Sequence, residues 1–272
     1  MNITYINLDR DTVRRGFVEG NFAAHNTLGW TLRRVAAVDG RTLPESVVSA
    51  RMTKGAVALS TTHRQVVRMS VGTPGHVMIA EDDILFGEKS QKMIETCIAA
   101  MEPQSWDLLF TDVCIPLPSD MVKLLVMKRK FGERYTTMNL RGLVFVGTTG
   151  VIVNERSKEK YLRLLGDDVL FSRPIDILIR DYIHQGHLNG FCTFPFATSI
   201  SAHADQSEIQ TSAITTQNLL WNAYRRAMWG SADIEGVDAW LSQLPQELFQ
   251  GECGVVGRIA AGLMTLNVVG TL

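Results

Sequence analysis

Apolar runs alternate with stretches of helical period along most of this chain, and that order constrains the fold more than any other feature. Ile3–Leu8 reads as a first strand, followed by a polar helix over about 11–25 that Asp9 would cap. Thr31–Val38 reads as a second strand, closed by the turn signal Asp39-Gly40-Arg41. A helix over about 54–69 stops at Thr73-Pro74-Gly75, and a third strand, His76–Ala80, follows. The pattern continues with a helix over about 89–101, the strand Trp106–Phe110, the strand Leu143–Val153 and a helix over 155–165. Repeated strand-helix order predicts a mainly parallel sheet with helices on both faces. After Ser207 the pattern changes: helices over 217–229, 236–241 and 254–264 have no strand between them. The expected layout is an α/β domain over 1–210 and a C-terminal helical appendage over 211–272.

At 272 residues the chain can bury a substantial core, and 46% hydrophobic with 20% charged residues describes an ordinary globular protein. A formal net charge of -1 gives no global reason to bind nucleic acid, so an anionic partner must be met locally. Cys97, Cys114, Cys192 and Cys253 are scattered and form no C-x-x-C pair, which argues against a structural zinc or a disulfide scaffold and for a reducing compartment. No basic region with an apolar signal core opens the chain, and no apolar stretch is long enough to span a bilayer. The expected location is cytoplasmic, with peripheral contact at the membrane face as a further reading.

The third strand ends in Glu81-Asp82-Asp83, where an apolar run stops abruptly. Three adjacent carboxylates repel one another unless a cation neutralises them, and Mn²⁺ or Mg²⁺ suits an all-oxygen site. Ligands of open α/β sheets lie at the carboxyl ends of the strands, where this triplet falls. The plainer alternative is a solvated strand end opening a turn.

The ordered motifs Ile6-Asn7-Leu8-Asp9-Arg10 with Arg14-Arg15, Ala37 to Arg41, Leu59 to His63 and Ile79 to Asp83 resemble glycosyltransferase family 25, the lipooligosaccharide and collagen galactosyltransferases. Gly147-Thr148-Thr149-Gly150, Pro174-Ile175-Asp176 and Ser207-Glu208-Ile209 fall in the same order, so the resemblance covers about 3–209. It departs where the family has Gly-Cys and Ser-His, here Gly55-Ala56 and Thr62-His63, and where the family has Tyr, here Val151. The resemblance implies a GT-A-like fold and transfer of a hexose, galactose in the family, from a UDP-sugar to a hydroxyl of a saccharide or glycoconjugate, with inversion. Glu81-x-Asp83 then takes the D-x-D role, with Asp83 on the metal and Glu81 or Asp82 reaching ribose or metal-bound water.

Asn7, Leu8 and Arg10 at the first strand's end, and Asp39 after the second, would lie beside the nucleotide. Arg10, Arg14 and Arg15 would face its phosphates, although a solvated helix face suits such charges equally. Asp39 serves as well as a turn residue before Gly40. An inverting transfer needs a base for the acceptor hydroxyl, and Asp176 is the candidate, with the first turn of the helix 177–184 as its structural alternative. His203, near Asp205, would complete the metal site, against a plain loop role. His63 matches a family position, but within an apolar helix it reads as a core histidine satisfied by backbone or a carboxylate.

Two other classes remain open. Asp107 to Pro116 resembles the phosphoacceptor strand of a response-regulator receiver, although the acids come too late in the chain and 191–201 lacks the required Lys. An inactive transferase-like scaffold would leave clustered carboxylates unused. In the tail, Trp221, Tyr224, Arg225, Arg226 and Trp229 combine aromatic and basic residues as interfacial helices do, but a stripe at this spacing also suits packing on the parent domain.

Overall fold

The computed structural model describes residues 1–47, 49, 52–132, 134–166, 171–206 and 215–265. The Ser207-Glu208-Ile209 motif and the expected boundary at 210 and 211 lie outside the described residues. A seven-stranded sheet forms the centre. Its strands, in chain order, are β1 (Asn2–Asn7), β2 (Thr31–Ala36), β3 (Val77–Glu81), β5 (Leu108–Phe110), β6 (Thr136–Asn139), β7 (Gly150–Val153) and β8 (Gly190–Phe194). They lie side by side as β2-β1-β3-β7-β5-β8-β6. A separate two-stranded ribbon joins β4 (Ile84–Leu85) to β9 (Ser199–Ile200). Strands β1, β2, β3, β5 and β8 share one direction, while β7 and β6 run against their neighbours. The mainly parallel α/β sheet predicted from the alternation is thus the observed architecture.

Alternation along the central strands explains the two layers. Val77 and Ile79 enter one apolar core while Met78 and Ala80 enter the other, and Val151 and Val153 are likewise split from Ile152. On the first face α2 (Lys54–Ser70) contributes Val66 and Val67, with α4 (Pro118–Phe131), α5 (Lys158–Leu164) and α6 (Ile175–His184) adding Leu124, Tyr161 and Ile179. On the second, α1 (Thr12–His25) contributes Val18 and Phe22 and α3 (Ser90–Met101) contributes Met93 and Ile94.

Local chemistry sets the element ends. Asp11, not Asp9, caps α1, accepting the Arg14 N–H, because Asp9 instead receives Arg34 at 2.5 Å. Thr53 caps α2 by accepting from the Ala56 N–H. The expected strand Leu143–Val153 is shortened to Gly150–Val153; its first part is irregular, bridging to Cys114 at Val146 and accepting the Glu81 N–H at the Thr149 carbonyl. Gly150 is required there, since a Cβ would stand 2.2 Å from Thr111 Oγ1.

The C-terminal helices are α7 (Thr215–Met228), α8 (Ile234–Leu241) and α9 (Gly251–Thr265). Helix α7 packs inward: Met228 is buried in the first core and Tyr224 lies against it. Among the described residues no helix is long and apolar enough to cross a membrane.

Candidate active site

The carboxyl ends of β1, β2 and β3 open into one cleft of about 500 Å³. Asn7, Leu8, Arg10 and Arg14 line it from β1 and α1, Asp39, Gly40 and Arg41 from the turn after β2, and Lys54, Gly55, Ala58 and Leu59 from the first turns of α2. Glu81, Asp82, Asp83 and His203 complete the wall. The structure therefore brings Asn7, Leu8, Arg10, Arg14, Asp39, the acid triplet and His203 into one wall. It leaves out Arg15, whose guanidinium meets Asn7 Oδ1 at 3.4 Å and the Asp9 carbonyl at 3.0 Å instead of facing the cleft.

The three acids of the triplet point to different partners. Asp82 is held by Asn7 Nδ2 and by Arg14 Nη1, each at 2.8 Å, and Arg14 Nη2 also reaches the His203 carbonyl at 2.6 Å. Asn7 is itself fixed by Arg34 Nε at 3.0 Å, which explains why an Asn at a strand end is fully buried. Glu81 accepts the Thr148 hydroxyl at 2.7 Å. Asp83 is the one left over: its Oδ1 is closed off from water and has no hydrogen-bond partner. Burial, then the neighbouring Glu81 carboxylate, push the Asp83 carboxyl up to about 7 against the opposing pull of Arg14 and Arg225. Burial acts on Glu81 too, but His63, the Thr148 hydroxyl and Arg225 outweigh it and hold that carboxyl below its ordinary value. The two acids titrate as a pair.

Asp39 takes the turn role expected of it and stands in the cleft wall. It caps the short helix Gly40–Thr42, accepting the Arg41 N–H, and it pairs with Arg10 within the cleft wall. His203 sits in the short helix Ala202–Gln206, its ring edge-on to Phe17 at 5.1 Å between centroids. That segment is tied over the triplet by the β4 and β9 ribbon, by Ser201 N–H donating to the Asp83 carbonyl, and by Arg226 reaching Ser201 O and Asp205 at 3.0 Å. Asp176 is not part of the cleft lining. It stands in the first turn of α6, with Oδ2 accepting the Gly147 N–H at 3.0 Å and Oδ1 its neighbour's N–H from Ile177 at 2.9 Å. The strip Gly147–Thr149 joins it to Glu81, through Thr148, and to Arg225, whose Nη2 donates to Thr149 Oγ1 at 2.9 Å.

Arg225 was not legible as a site residue. It projects from α7 into the sheet, buried, with Nε donating to Asp112 Oδ2 at 2.8 Å and a second bond from Nη2 to the same oxygen. Burial raises the Asp112 carboxyl in spite of this partner, and Asp112 is wholly buried. A phosphoacceptor must be open to its phosphoryl donor, so Asp112, which follows the strand that resembles a receiver's, is not placed to act as one.

Among the described residues no group of three or more His, Cys, Asp or Glu side chains converges as a metal cage. Divalent cations in nucleotide sites instead take one or two carboxylates and fill the rest of their shell with phosphate oxygens and water. The orphaned Asp83 oxygen beside Glu81 fits that donor set. The charge balance of the wall agrees, with five acids (Asp11, Asp39, Glu81, Asp82, Asp83) against four bases (Arg10, Arg14, Arg41, Lys54). Such a wall does not attract a diphosphate by itself.

No family model matches the chain, and none of the curated proteins matches it. Among solved structures it is similar to a glycosyltransferase involved in the glycosylation of the major capsid of PBCV-1, at 9% identity and a TM-score of 0.35, over 60% of this chain and 64% of that one. It is also similar to mouse xyloside xylosyltransferase 1 in its apo form, at 10% identity and a TM-score of 0.31, over 70% of this chain and 63% of that one. The chain thus spans less than two thirds of the length of either protein, both of which are glycosyltransferases by description.

Proposed function

We propose that the chain is a metal-assisted glycosyltransferase that seats a UDP-sugar in the cleft at the carboxyl ends of β1 to β3 and passes the hexose, with inversion, to a hydroxyl of a saccharide or glycoconjugate. The observation that carries this reading is Asp83, whose buried, unpartnered oxygen stands beside Glu81 in the wall of a nucleotide-sized cleft. Asp83 with Glu81 would hold Mn²⁺ or Mg²⁺; His203, expected as a further ligand, lies in the same wall but does not converge with the two acids as a third. When bound, the cation supplies the positive charge that a departing diphosphate needs.

The chain's own residues do the rest. Arg14 and Asn7 lock Asp82 so that the triplet's backbone is fixed before ligand arrives. Leu8, Arg10 and Asp39 line the cleft and would border the nucleoside. Asp176, outside the cleft lining but joined to Glu81 through the strip Gly147–Thr149, would take the acceptor proton: both its oxygens accept backbone N–H groups, and a carboxylate keeps further lone pairs for a hydroxyl. The resemblance to family 25 supports galactose as the sugar and a lipooligosaccharide-like acceptor at the cytoplasmic membrane face, which the C-terminal helices would approach.

Thermal unfolding with UDP, UDP-sugars and other nucleotides, in Mn²⁺ and in chelator, tests the proposal. A ligand at about a hundred times its Kd stabilises by about 2.7 kcal/mol, which raises the midpoint by roughly 5 °C for a chain of this size. The expected result is such a rise with UDP and one UDP-sugar in Mn²⁺ alone. Asp83→Ala should lose it. Asp176→Asn should keep it while transfer falls by about 10²- to 10⁴-fold. Equal donor binding in chelator, or in Asp83→Ala, would sink the metal assignment.

A further inference from the structure

We infer that His63 is a positioning residue for Glu81: from α2 its imidazole pairs with the carboxylate already in the free protein, and the contact tightens when donor and cation fill the cleft. The inference rests on the reading of the acid site given above. His63 is 0% exposed and neither ring nitrogen has a hydrogen-bond partner, so the expectation of a satisfied core histidine is not met. An imidazole left dry and without a hydrogen bond destabilises a core that an isosteric aliphatic side chain would fill without penalty. Its Nε2 lies 3.9 Å from Glu81 Oε1. That gap is too long for a hydrogen bond and too short to admit a bridging water, so a small rotation of the Glu81 side chain closes it.

The geometry gives the contact a use. Glu81 Oε1 is held at 2.7 Å by Thr148, and His63 approaches the same oxygen, leaving Oε2 for ligand. Helix α2 also carries Lys54, Gly55, Ala58 and Leu59 in the cleft wall, so the element that touches the donor bears the imidazole that meets Glu81. Partners that orient metal-site carboxylates and imidazoles in this way change metal affinity by about 10- to 100-fold when removed.

Two measurements on the full chain decide the matter. In chelator, unfolding midpoints of His63→Leu, Glu81→Gln and the double variant form a cycle that needs no ligand and no catalytic turnover. Shifts that fail to add support the contact, and shifts that add overturn it. If His63→Leu does not fold, the imidazole ¹⁵N resonances of His63 in otherwise wild-type protein and in Glu81→Gln replace the cycle, and resonances that do not move overturn it. In Mn²⁺ with UDP, His63→Leu should weaken binding about 10- to 100-fold while His63→Gln, which keeps an N–H donor, stays within a few fold. Wild-type affinity in His63→Leu overturns the inference. Absence of Mn²⁺-dependent nucleotide binding by the wild type would instead refute the transferase reading, and the cycle in chelator would still decide the His63 contact.

Discussion

At Asp83 the folded chain holds a carboxyl whose ionisation is opposed by burial and by Glu81, and this has a consequence for stability. Its folded value is raised from 3.8 to about 7. Between those values the folded state binds more protons than the unfolded one, so stability falls as pH rises through the window, is lowest above it, and is unaffected below it. Asp83→Asn removes the ionisation. In chelator at pH 8 that variant should be more stable than the wild type by about 2 kcal/mol, less than the whole span implies because Glu81 titrates with it. The difference should vanish near pH 4, as chemical denaturation at the two pH values would show. A variant that is less stable at pH 8 would mean that the acid is already satisfied. The same substitution should abolish Mn²⁺-dependent nucleotide binding, the exchange of stability for function expected of a site held ready for a ligand.

Helix α7 shows how far an element's role can lie from its local pattern. Tyr224, Arg225 and Arg226 in sequence suggest a wet or interfacial face, yet Arg225 turns to Asp112, Arg226 to Asp205 and the Ser201 carbonyl, and Tyr224 to the Met121 carbonyl. Partners 21 to 113 residues away leave no trace in a periodicity. The central strands β1 and β3 and the helix α2 were legible because burial on both faces, or along one stripe, writes itself into a short window. Strand β6, Thr-Thr-Met-Asn at the sheet edge, and helix α4, apolar on no clear stripe, carry no such signal. The cleft wall was readable in outline because strand ends and the acid triplet are contiguous in sequence, whereas Lys54 reaches the wall, Thr148 reaches Glu81 and Arg225 reaches Thr149 only through folding. The buried pair makes the point measurable. Arg225→Met leaves Asp112 without its countercharge and should cost about 3–5 kcal/mol, while adding Asp112→Leu should recover most of the loss. Losses that simply add in urea titrations would show that the two side chains do not act as a pair.

Over the whole molecule, the sheet gathers its functional ends at one edge and the C-terminal segment closes that edge only in part. Helix α7 supplies Arg225, Met228 and the clamp of Arg226 on the segment that carries His203. Helix α9 is different: its main contacts are with the turn Gln246–Phe249, and Val255, Val256, Ile259 and Leu263 are exposed. A division of the chain near 210 therefore has two testable halves. A chain ending at Gln250 should unfold cooperatively with a midpoint within about 3 °C of the full protein, since exposed residues contribute little burial, and should keep Mn²⁺-dependent UDP binding. A chain ending at Gln206 loses the guanidinium that faces Asp112 and the Met228 that fills the first core. It should lose its cooperative transition, because an unpaired buried carboxylate and a cavity together cost about 5 kcal/mol or more, a large share of a domain's stability. If the shorter chain unfolds cooperatively and still binds UDP with Mn²⁺, the catalytic domain ends before α7, and Arg225 belongs to an appendage after all.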